Sequence, residues 1–126
     1  MFDHIHEAMT RLGLTITTVT RGQVVAVMLM ADGLSETAMM LHGPLWEALR
    51  IAGYVGQHLV DESQLTNGHC NVSVRPLEDA EAGRLHIILN WKQANPTTQR
   101  WDGFALDAAR QRVARVSVGF WRHTIR

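Results

Sequence analysis

His42-Gly43-Pro44-Leu45-Trp46-Glu47-Ala48-Leu49-Arg50-Ile51-Ala52-Gly53-Tyr54-Val55-Gly56-Gln57-His58-Leu59-Val60 is the stretch that decides the fold. Pro44 has no amide hydrogen and a preset φ, which suits the first position of a helix, and Gly43 before it permits an unusual backbone angle. The predicted helix covers residues 44–60. On a helical projection Glu47, Arg50, Tyr54 and Gln57 or His58 form one narrow polar stripe, while Leu45, Trp46, Ala48, Leu49, Ile51, Ala52, Val55 and Leu59 cover the rest. A helix apolar on nearly all sides needs a sheet wrapped around it. Gly53 and Gly56 lower helicity but let a packed surface come close to the backbone.

Upstream, Ile5, Ala8, Met9 and Leu12 recur at helical spacing over residues 3–12, with Asp3 placed as a cap and Gly13 as a stop. Residues 14–20 and 23–30 are β-favouring runs joined by Arg21-Gly22, a predicted hairpin. Residues 31–41 carry Asp32-Gly33, Ser35 and Glu36 and are predicted to form a loop. Downstream the period changes to two. Cys70, Val72 and Val74, then Leu85, Ile87, Leu89 and Trp91, then Ala114, Val116, Val118 and Phe120 alternate with polar or small neighbours. Residues 99–106 make a further strand, turning at 107–110. Helix, hairpin, long helix and four strands define an α+β protein, and 126 residues suit a single domain over 1–126.

Twelve basic and twelve acidic residues cancel and are spread along the chain, leaving no footprint for nucleic acid or an anionic membrane. Glu47, Arg50, Gln57 and His58 interrupt the longest apolar run, so no membrane span is expected. The single cysteine, Cys70, and the absence of a signal-peptide layout at Met1-Phe2-Asp3-His4 point to a reducing, cytoplasmic setting. Alternation puts Cys70 on the apolar face, where burial is expected. His4 and His6 stand alone, and neither a metal nor a cofactor is implied.

The order of elements, with a long helix inside an antiparallel sheet, resembles the hotdog fold. Leu41-His42-Gly43-Pro44 ahead of a small-residue-rich helix is similar to the His-Gly-Gly helix opening of acyl-CoA thioesterases of the phenylacetate-pathway type. Asn71-Val72-Ser73-Val74-Arg75-Pro76 and the stretch from Ala105-Leu106-Asp107 to Val113-Ala114 resemble later strands of that family. The resemblance implies thioester hydrolysis, with the Gly43 amide polarising the carbonyl and His42 positioning it. A helix N-terminus, with outward amides and partial positive charge, suits a developing oxyanion. The family's polar residue six positions before the histidine is Glu36 here, and its acid, nine positions after, is Ile51. Isoleucine neither attacks a carbonyl nor takes a proton, so Glu36, or else Glu47 one turn before Ile51, is the candidate to activate water.

Plainer accounts stand beside these. His42 can serve helix entry, Glu36 can be a solvated loop carboxylate, and Glu47 can pair with Arg50 for ~0.3 kcal/mol. The methionines and the tryptophans Trp91, Trp101 and Trp121 suit core or interface packing. The alternative function is a non-catalytic hotdog module that binds an acyl-CoA or fatty acyl ligand, and a third reading is a cone-shaped α+β domain of the nuclear-transport-factor type. The partners implied are an acyl-CoA or acyl-carrier thioester and further copies of the chain, as a homodimer or homotetramer.

Overall fold

The computed structural model describes residues 3–29, 38–66, 68–77, 84–95 and 97–122. Helix α1 (Asp3–Leu12) leads into the hairpin β1 (Leu14–Thr20) and β2 (Gln23–Leu29). The long helix α2 (Ala38–Val60) and the short α3 (Ser63–Thr66) follow, then β3 (Gly68–Pro76), β4 (Arg84–Asn95), β5 (Thr98–Leu106) and β6 (Arg112–Arg122). Gly13 ends α1 as its composition predicts, at φ 64°, with its amide donating to the Thr10 carbonyl at 3.2 Å.

The strands form one curved antiparallel sheet in the order β1-β2-β4-β5-β6-β3. Period-two alternation sends Val24, Ala26 and Met28, Leu85, Ile87 and Leu89, and Val116, Val118 and Phe120 to one face, all buried. The register lines them up across strands: Ala26 faces Ile87, Ile87 faces Ala105, and Trp101 faces Val118. Helix α2 lies on this inner face against β1, β2, β3, β4 and β6. Leu45, Ala48, Leu49 and Ala52 are fully buried beneath it. At two of the three glycines of α2, Gly53 and Gly56, the sheet packs close against the helix backbone. A Cβ on Gly53 would stand 2.6 Å from Val118 Cγ1, and one on Gly56 would stand 2.6 Å from Val24 Cγ2 and 2.9 Å from Trp101 Cη2.

Three expectations are corrected. Helix α2 begins at Ala38, so Pro44 lies inside it rather than at its first position. Proline is tolerated there at the cost of one bond, since the Met40 carbonyl has no amide at residue 44 to accept from. Gln57 belongs to the core rather than the polar stripe, because its amide finds partners inside: Oε1 accepts from Trp101 Nε1 at 2.8 Å and Nε2 donates to the Asp61 carbonyl at 3.2 Å. Cys70 does pair in register with Phe120, but β3 is an edge strand and the residue is exposed, its thiol only partly covered. The short helix α3 was also unforeseen: Asp61 caps it, its Oδ1 accepting from the Ser63 amide at 3.1 Å.

Candidate functional site

Residues four and seven apart share a helix face, so Gly43, Glu47 and Arg50 form a row along the open side of α2. Gly43 is exposed, and a Cβ placed on it would meet nothing within 4 Å. A helix beginning at Ala38 commits the Gly43 amide to the carbonyl of Met39, four residues back. The backbone of His42 belongs to the same first turns, and its side chain lies outside the described set. Glu36 lies outside the described residues altogether.

Glu47 is gripped by Arg50. Nη2 of Arg50 donates to Oε1 at 2.6 Å and Nε donates to Oε2 at 3.3 Å. That hydrogen-bonded pairing lowers the Glu47 carboxyl below its ordinary value, burial opposes it, and the charges of Arg50 and of Arg11 on α1 add to the lowering. The guanidinium is stabilised in turn. A carboxylate so held is a weaker base than a free one. Cys70 is shifted the other way: partial desolvation pushes its thiol up, and the positive charge of Arg50 only partly offsets this.

Ile51, where the resemblance places an acid, is 2% exposed. It forms part of the wall of a cavity of about 220 Å³ between α1 and α2, with His4, Ile5, Ala8, Arg50 and Tyr54 around it. The cavity is apolar along Ile5, Ala8 and Ile51 and carries a guanidinium, an imidazole and a phenol. Its chemistry suits an apolar group bearing a polar or anionic end. Sequence reasoning found Glu47, Arg50 and Ile51 but missed the contribution of α1. The signal was present in Ile5 and Ala8, whose three-residue spacing marks the packing face of that helix. Among the described residues, no group of three or more His, Cys, Asp or Glu gathers as a metal site. No helix among them is long and apolar enough to cross a membrane.

No known protein family profile matches the sequence, and no curated protein matches it. Solved structures do match the fold. A mutant of the thioesterase SAV0944 from Staphylococcus aureus superposes with a TM-score of 0.69 at 16% identity, over 91% of this chain and 97% of that one. The Escherichia coli PaaI protein from the phenylacetic acid degradation operon gives 0.69 at 16% identity, over 94% and 90%. The thioesterase HI1161 from Haemophilus influenzae gives 0.67 at 16%, over 90% and 80%. In each the similarity spans nearly the whole of this chain, and at such identities it speaks for the fold. The chain adopts the hotdog fold that these solved structures share.

Proposed function

We propose that the protein is a thioesterase-like enzyme that hydrolyses an acyl thioester at the α1–α2 cavity and the adjoining entry of α2. The observation that carries this reading is the cavity over Ile51, at the position where the resemblance puts the reacting acid, in a fold shared with solved thioesterases. Water attacks the carbonyl carbon while Glu36, or Glu47 as the second candidate, takes its proton. The tetrahedral intermediate collapses, the carbon–sulfur bond breaks, and the thiolate leaves to be protonated as free thiol. The Gly43 amide stabilises the oxyanion once the turn ahead of Pro44 opens, and His42 positions the carbonyl. That turn has one backbone bond fewer than an ordinary helix, which lowers the cost of opening it.

The assembly that goes with this reading is a homodimer or homotetramer. Among the described residues strand β3 pairs with β6 alone, and its nine residues leave an edge that a second copy can extend. A coenzyme A or carrier-protein thioester is the substrate class, and the cytoplasm its setting.

A second reading is a non-catalytic acyl-binding module. It is favoured by the buried Ile51 and by the occupation of Glu47 with Arg50. Release of free thiol from a panel of acyl-CoAs separates the two. Turnover supports the enzyme, whereas calorimetric binding without turnover selects the module.

A further inference from the structure

We propose that a groove on the outer face of the sheet, across β4, β5 and β6, binds a small phosphorylated ligand of the nucleotide class. The proposal does not rest on the acyl reading, whose cavity lies on the helix side. The groove has a volume of about 590 Å³ and runs between Lys92 and Arg100 on one side and Phe104 and Arg115 on the other, over Asp102 and Ser117. That size holds one small ligand.

Register builds it. Asn90, Asp102 and Ser117 stand side by side on neighbouring strands, Lys92 stands beside Arg100, and Phe104 stands beside Arg115. All point away from the core, because their neighbours Leu89, Trp101, Val116 and Val118 point into it.

The charge is uneven in a chain that is neutral as a whole. Three cations line the groove against the single carboxylate of Asp102, a local excess of positive charge that draws anions. Asp102 is itself fixed: Oδ1 accepts from Ser117 Oγ at 3.0 Å, while Oδ2 lies 3.0 Å from Arg100 Nε and 4.0 Å from Lys92 Nζ. It therefore orients the two cations and leaves the terminal amines of Arg100 for another acceptor. On the far wall the guanidinium of Arg115 lies 5.7 Å from the centre of the Phe104 ring, and that of Arg112, outside the groove lining, lies 4.1 Å from the same ring. Among the described residues, neither forms an ion pair. Arginines held against an aromatic ring are pre-arranged forks for phosphate oxygens. Asn90, whose Oδ1 accepts from Gln23 Nε2, keeps an NH₂ donor for a base or ribose.

A short groove with cations at both walls fits a compact polyanion. A nucleic-acid strand would call for a continuous stripe of positive charge, whereas the basic residues here are balanced by as many acidic ones along the sequence.

Titration with ADP at low salt, followed by amide ¹H–¹⁵N spectra and calorimetry, tests this. The expected result is saturable shifts at Asn90, Asp102, Gly103 and Ser117. Adenosine should bind at least about tenfold more weakly, and so should ADP to the Arg100→Gln/Arg115→Gln double variant. Lys92→Gln should give a smaller loss of the same sign, and Arg21→Gln, on another face, none. These side chains are exposed, so the variants should retain the thermal midpoint. Absence of shifts at those amides, equal binding of adenosine and ADP, or unchanged affinity in the double variant would overturn the proposal. So would binding of a single-stranded oligonucleotide at this face where ADP fails.

Discussion

Trp101 Nε1 donates to Gln57 Oε1 at 2.8 Å, with both side chains fully buried, and this bond joins the last turns of the central helix to the middle of the sheet. The same amide closes the helix end through the Asp61 carbonyl. Gln57→Leu strands the indole donor away from water and should lower stability by about 1–3 kcal/mol in urea unfolding. Adding Trp101→Phe removes the stranded donor too. The double variant should be less destabilised than the sum of the two single changes.

Gly53 and Gly56 of α2 are fixed by contact rather than by backbone angle. Gly56→Ala gains up to ~1 kcal/mol in helix propensity, yet its new methyl group collides with both Val24 and Trp101. Overpacking between two strands costs about 1–3 kcal/mol, so the net change should be destabilising by thermal or urea unfolding. Gly53→Ala, which meets Val118 on one side, should behave alike.

Glu47 and Arg50 give a pH signature. The folded carboxyl titrates below its ordinary value of 4.5, so the pair stabilises the protein above that pH, and the contribution is lost as pH falls through the lower folded value. Both side chains are partly exposed, at 28% and 48%, which limits the effect to roughly 0.5 kcal/mol. Glu47→Gln should show that small deficit at pH 7, and the deficit should shrink in unfolding curves as the pH falls below 4.5 and through the lowered folded value.

Ile51→Asp restores a carboxylate where the resemblance expects one. Burial in the cavity raises its pKa and the neighbouring Arg50 lowers it, so any gained hydrolysis should rise with pH as the group ionises. The change should lower stability by several kcal/mol and raise thioester turnover by at least about tenfold. A folded variant with no gain would show that this cavity is not where the thioester reacts.

Most of the fold was legible in the sequence because burial imposes a period. Val72 and Val74, Leu85 to Trp91 and Ala114 to Phe120 alternate since one sheet face meets α2, and Gly13 marks the end of α1 because only glycine sits easily at its φ. Gln57 was misread because helical spacing assigns a residue to a face by type, whereas its partner Trp101 is 44 residues away. The start of α2 was misread because proline fits both the first position and the early interior of a helix. The cavity at Ile51 takes His4, Ile5 and Ala8 from a helix more than forty residues upstream, a tertiary fact that no local pattern carries.

The most direct measurement is release of free thiol from a panel of acyl-CoAs by the wild-type chain and by its Glu36→Ala and Glu47→Ala variants at equal folded concentration. The account predicts turnover of at least one acyl-CoA by the wild type, a loss of about a hundredfold or more in Glu36→Ala, and a change within severalfold in Glu47→Ala. No turnover of any acyl-CoA by the wild type, or unchanged rates in both variants, would contradict it.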